Sequence, residues 1–103
     1  NIKVGVFGLK APELAATPSE SGIQLTWNSL SDAQSYNVYR LIPETNRYER
    51  IATEILETDY TDIEVVSGQS YTYVATGVSA QTGEGEYSAP IQIPSNHLTN
   101  RSE

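Results

Sequence analysis

Ile23-Gln24-Leu25-Thr26-Trp27 alternates apolar and polar side chains one for one. Side chains of an extended strand point to opposite faces in turn. This stretch therefore reads as a half-buried strand with Ile23, Leu25 and Trp27 on its dry face. Working outward, the same period recurs. Tyr36-Asn37-Val38-Tyr39-Arg40-Leu41 is a second strand, rich in aromatic and β-branched residues. Arg47 to Ala52 is shorter and weaker, Thr58 to Ile63 carries Tyr60 as its inward anchor, and Tyr71 to Ala75 is another clear strand. Tyr87 to Ile93 is the last. Pro90 interrupts it and has no N–H to donate, so this strand is expected at an edge or starting late.

Turn chemistry punctuates these runs. Pro18 and Ser21-Gly22 precede the first clear strand, Ser29 to Gln34 is a polar loop, and Pro43 to Asn46 is a turn. Ser67-Gly68 separates two strands, and Gly83-Glu84-Gly85-Glu86 separates the last two. No segment sustains a helical period. Glu44 to Glu57 comes nearest, with Ile51, Ile55 and Leu56, but Thr, Asn and Tyr dilute its helical propensity. About seven short strands with closely spaced turns predict an all-β sandwich.

The 103 residues suffice for one domain. Its body is expected at 11–95, with 1–10 as a leader that is a possible extra strand and 96–103 as a polar tail. The leader is expected to extend the first strand or pack on the sandwich, with addition to the edge of a neighbouring chain or module as the alternative. Thirteen acidic against six basic residues leave a net charge of −7, which phosphate backbones repel, so nucleic acid is not an expected partner. No cysteine and a single histidine exclude disulfides, thiol nucleophiles, iron–sulfur clusters and two-histidine metal sites. No apolar run reaches the roughly 18 residues of a membrane-spanning helix.

The order of these elements resembles a fibronectin type III domain, over roughly Ala11 to Ser95. Ala11-Pro12-Glu13-Leu14 resembles the family's opening strand, and Ile23 to Trp27 its second, with Trp27 at the buried tryptophan. Tyr36 to Arg40 resembles the third, and Tyr60-Thr61-Asp62 the strand before the corner. Gly68-Gln69-Ser70-Tyr71-Thr72-Tyr73 resembles the tyrosine-corner segment, with Tyr71 as the corner tyrosine, and Tyr87-Ser88-Ala89-Pro90 the start of the final strand. There are departures. Gly77 stands where the family commonly has alanine, Ser79 where asparagine is frequent, and Val65 and Ser67 where leucine and proline are. The resemblance implies an immunoglobulin-like β-sandwich of about seven antiparallel strands. It is strongest with bacterial members, which occur in secreted carbohydrate-active enzymes and surface proteins. The loop Ala80 to Glu86 holds no Arg-Gly-Asp, so integrin recognition of that kind is not implied.

Candidate sites are few. Glu57, Asp59, Asp62 and Glu64 cluster in sequence, and carboxylates serve both glycoside hydrolysis and calcium. A small sandwich offers no deep cleft and the calcium-loop spacing is missing, so a solvated strand with its turns is the expected setting. Glu84 and Glu86 could meet a basic partner; Gly83-x-Gly85 lacks the third glycine and the helix of a phosphate loop. Trp27, Tyr36, Tyr60, Tyr71 and Tyr73 are assigned to the core. Tyr39, Tyr48 and Tyr87 remain as candidates for surface contact; cross-strand packing is the expected setting of Tyr39 and Tyr48, with stacking on sugar rings or a neighbouring module as the alternative. His97 is a bystander in the tail, and the Asn100-Arg101-Ser102 sequon is expected to be accidental.

No catalytic, cofactor-binding or metal-binding residue is assigned, and no cofactor is expected, because no nucleophile–base pair is evident. The expectation is a non-catalytic accessory or spacer module of a larger bacterial protein, extracellular or on the cell surface by resemblance. The alternative is a module that binds carbohydrate or protein through loops or surface tyrosines. Its expected partners are neighbouring domains of the same polypeptide, or a protein or polysaccharide. It is expected to be a monomer, with exchange of the N-terminal strand as the other arrangement.

Overall fold

The computed structural model describes residues 9–66 and 68–94. The leader up to residue 8, Ser67, and everything from residue 95 on, with His97 and Asn100-Arg101-Ser102, lie outside the described residues.

Among the described residues eight strands carry the fold: β1 (Ala15–Ser19), β2 (Gly22–Thr26), β3 (Ser35–Ile42), β4 (Arg47–Ile55), β5 (Asp59–Asp62), β6 (Tyr71–Ser79), β7 (Gly83–Glu84) and β8 (Ile91–Ile93). They form two antiparallel sheets. One has the order β1-β2-β5; the other has the order β4-β3-β6-β7, with β8 also on β6. The sandwich follows from the alternation. Ile23 and Leu25 are fully buried and Trp27 nearly so, while Gln24 and Thr26 are exposed. Tyr36 and Val38 from β3, Tyr73 and Ala75 from β6, and Ile93 from β8 meet them between the sheets. The rings of Trp27 and Tyr36 lie 5.6 Å apart and tilted, and the Tyr36 hydroxyl accepts the Leu30 N–H at 2.9 Å. Truncating Trp27 to Ala would cost about 3–5 kcal/mol.

The corner tyrosine is in place. Val66 donates its N–H to the Tyr71 hydroxyl at 2.7 Å, five residues upstream of the ring, and the ring stacks near Tyr73. Pro43–Asn46 makes the β3–β4 hairpin, with Asn46 at φ 57° and its N–H on the Ile42 carbonyl at 2.8 Å. Asparagine tolerates that left-handed conformation better than most residues.

Several boundaries differ from expectation, each for a local reason. Pro18 lies inside β1 rather than before it, on a strand at the sheet edge where no ladder bond is lost. β1 begins after the Ala11–Leu14 segment. β4 runs nine residues, longer than its weak pattern suggested, and occupies a sheet edge. Its register with β3 shifts twice, between the pairs of Tyr36, Val38 and Tyr39, and Glu54 there has φ 55°. Such bulges bend a strand away from its partner. The Gly83–Glu86 loop contributes β7, paired through Val78↔Glu84. The last strand starts only at Ile91. Between them the chain still follows β6, but irregularly: Ser88 donates its N–H to Ala75 at 2.8 Å, and its hydroxyl accepts the Ala75 N–H at 2.9 Å.

Two of the departures also have structural reasons. A β-carbon on Gly77 would come within 2.8 Å of Leu30 and 3.1 Å of Leu9, so its missing side chain makes room for both. Leu9 also crosses Gly85, where a β-carbon would stand 2.6 Å from the Leu9 carbonyl oxygen, and that oxygen accepts the Glu86 N–H at 3.1 Å. Ser79 is buried and caps the β6–β7 turn, its hydroxyl accepting from Gln81 and Thr82.

Candidate functional site

Two polar networks stand out, one inside the sandwich and one on its outer face. The inner one grows from charges placed in the core phase of their strands. Arg40 alternates with Val38 and Tyr36, and Asp62 with Tyr60. The fold brings Arg40 Nη1 to 2.5 Å from Asp62 Oδ2, and the Tyr73 hydroxyl donates to the same oxygen at 2.7 Å. Asp62 Oδ1 accepts the Glu64 N–H at 3.1 Å, and the carboxylate is 2% exposed. Burial pushes the Tyr73 hydroxyl far above its ordinary range, and the hydrogen bond to Asp62 and its charge add to that. Burial lowers Arg40, but the bond and charge of Asp62 outweigh it and raise the guanidinium.

The sequence cluster of carboxylates is thereby split. Asp62 points between the sheets, contrary to the expected solvated setting, while Glu57, Asp59 and Glu64 are exposed. Among the described residues no three His, Cys, Asp or Glu gather as a metal site would need.

The outer network lies on the solvent face of the five-stranded sheet. Glu84 Oε2 accepts from Asn37 Nδ2 at 3.0 Å, from Thr76 Oγ1 at 2.7 Å and from the Tyr39 hydroxyl. Thr53 Oγ1 donates to Asn37 Oδ1 at 2.7 Å. Desolvation pushes the Glu84 carboxyl up. The bonds from Tyr39, Thr76 and Asn37, with the Arg50 charge, more than offset it and hold the carboxyl below the ordinary glutamate range. Tyr39 is pushed far up, first by burial and then by its bond to Glu84.

Tyr39, a candidate for surface contact by sequence, is packed: it is 8% exposed and covered by Tyr87 at a ring separation of 5.2 Å, edge to face. The two rings meet by tertiary packing that strand alternation alone does not disclose. Tyr48 and Tyr87 are the surface tyrosines, 40% and 59% exposed. Glu86 is exposed, and its N–H is engaged by Leu9. A groove of about 650 Å³ runs beside the outer network, with Asn37 and Glu84 on one side and Arg50 and Thr53 on the other. Its polar residues come from β3 and the Gln34 before it, β4 and β7, which no local motif links.

No family model matches the chain. Its fold and sequence are similar to a solved Fn3-like protein from Clostridium thermocellum. Identity is 36%, the match covers 92% of this chain and 97% of that one, and the TM-score is 0.73. It is 32% identical over 80 residues to an amylopullulanase of Thermoanaerobacter thermohydrosulfuricus, covering 78% of this chain and 5% of the enzyme. It is 32% identical over 88 residues to a poly(3-hydroxybutyrate) depolymerase of Ralstonia pickettii, covering 84% of this chain and 17% of that protein. The chain thus spans a small segment of these curated relatives.

Proposed function

Since the chain belongs to the fibronectin type III family, we propose that it is a non-catalytic accessory module of a larger secreted bacterial protein. Its work there is to orient and stabilise the domains beside it. One observation carries this reading. The same unit fills nearly all of one Fn3-like protein but only small segments of two enzymes named for different polymers. A unit that accompanies different chemistries is better suited to a supporting role than to a catalytic one. The chemistry of the networks supports it. Asp62 is committed to Arg40 and Tyr73, and Glu84 Oε2 to three donors, which leaves neither arranged as an acid–base pair.

The test is made on the isolated chain. It is expected to unfold cooperatively and to release no reducing sugar from amylose or pullulan and no hydroxy acid from poly(3-hydroxybutyrate). Turnover that disappears on Glu57→Gln or Asp59→Asn would sink the reading.

A second reading, a binding module, is favoured by the polar groove and by the exposed Tyr87 ring on the same sheet face. The aromatics do not form a continuous exposed row, because Tyr39 is buried.

A further inference from the structure

We propose that the groove on the outer face of the five-stranded sheet binds a short, neutral oligosaccharide; this rests on the second reading above, that the chain is a binding module, and names its ligand class. The groove lies where the register of β3 with β4 shifts twice, a place where bulges bend a strand, and Glu84 of β7 joins its lining. Ser35 and Asn37 lie along it on β3, with Arg50 and Thr53 on the β4 side. From Ser35 to Tyr39 the strand spans about 13 Å.

Its chemistry suits hydroxyl groups. Among the described residues Glu84 Oε1 makes no hydrogen bond, and neither does the Arg50 guanidinium. One wall thus holds a free acceptor and the other a set of free donors. A sugar hydroxyl both accepts and donates, and can bridge such a pair of walls. Asn37 and Thr76, 4% and 0% exposed, are already satisfied by Glu84, so the carboxylate is fixed without a ligand. A prearranged wall avoids part of the ordering cost of binding. Tyr87 stands on the same face with an exposed ring, a surface for the C–H side of a sugar.

Charge selects the neutral class. The chain carries −7, and the groove lining has Glu54 and Glu84 against the single cation Arg50. A polyuronate would be repelled at long range and find one counter-charge at most.

The experiment is a titration of the isotope-labelled chain with maltoheptaose and, separately, with an oligogalacturonate, followed by amide chemical shifts. Maltoheptaose is expected to move the amides of Ser35, Asn37, Arg50, Thr53 and Glu84. Arg50→Ala is expected to weaken this by roughly tenfold with unchanged melting temperature, and Tyr87→Ala by a similar factor with a lower melting temperature, because it uncovers Tyr39. No shift with maltoheptaose, shifts confined to β1, β2 and β5, equal binding by Arg50→Ala, or preference for oligogalacturonate would each overturn the proposal. None of these touches the accessory reading, whereas hydrolysis of the maltoheptaose during titration would count against that reading instead.

Discussion

Asp62 and Glu84 are two carboxylates with the same partners in kind: each accepts a tyrosine hydroxyl and each has an arginine nearby. Their settings are opposite. Asp62 is 2% exposed between the sheets, and Glu84 is exposed on an outer face. The difference teaches that the chemistry of a group does not say what it is for; its burial does. Inside, no water can replace a lost partner, so the ion pair ties β3, β5 and β6 together. Outside, the Glu84 carboxylate is open to water while its donors Asn37, Tyr39 and Thr76 are buried, so the network contributes a modest stability and keeps one carboxylate oxygen available.

The largest expected effect comes from breaking the inner member. Asp62→Ala leaves the half-buried Arg40 without its counter-charge and the buried Tyr73 hydroxyl unpaired, and is expected to cost about 3 kcal/mol in denaturant unfolding. The double change Arg40→Met with Asp62→Leu is expected to recover much of that loss, because it removes both charges together. A cost below about 1 kcal/mol for the single change would erase the contrast with Glu84.

Glu84→Gln is expected to cost about 0.5–1.5 kcal/mol at neutral pH. It sharpens the comparison through acid. The Glu84 carboxyl is held below its ordinary value in the folded chain. Its contribution is therefore full above the unfolded value near 4.5 and is lost as pH falls through the depressed folded value. The glutamine variant should lose less stability than the parent over that interval, as thermal melts across acidic buffers would show. An identical acid profile would mean that Glu84 adds nothing in the folded state.

The smallest effect at neutral pH appears in alkali. Tyr39 and Tyr73 both resist ionisation in the folded chain. Folding then keeps protons that the unfolded chain releases, so stability declines as pH rises above about 10. Tyr73→Phe and Tyr39→Phe should each make that decline shallower, measured by chemical unfolding in alkaline buffers. A parent whose stability is flat above that pH would contradict the protected hydroxyls.

Much of the fold was legible in Ile23 to Trp27 and Tyr36 to Arg40, because alternation states which side chains meet the core. The resemblance located Tyr71, whose hydroxyl bond to Val66 is local in sequence. The inner pair leaves a trace in the sequence: Arg40 and Asp62 fall in the inward phase of their strands, with opposite charges. The outer network left none. Asn37, Tyr39 and Thr76 find Glu84 only when β7 folds back onto β6, and Tyr39 loses its exposure to a ring 48 positions along the chain. The groove lies at the register shifts between β3 and β4, which no turn residue announces. Gly77 was legible as a departure but not as a seat for Leu9, since a missing side chain says nothing about what will fill its place.

That seat has a mechanical consequence. Leu9 rests beside Gly77 near one end of β6, and Ile93 pairs with Tyr71 at the other. Tension between the incoming and outgoing chain therefore acts along β6. The β6–β8 rungs and the Leu9–Glu86 bond lie across that direction, so they are sheared together rather than peeled singly. Gly85→Ala pushes a β-carbon against the Leu9 backbone, and single-molecule stretching should show a lower rupture force. With Leu9 displaced, the pull passes straight to β1, a five-residue edge strand, and the load path shifts from the centre of one sheet to the rim of the other.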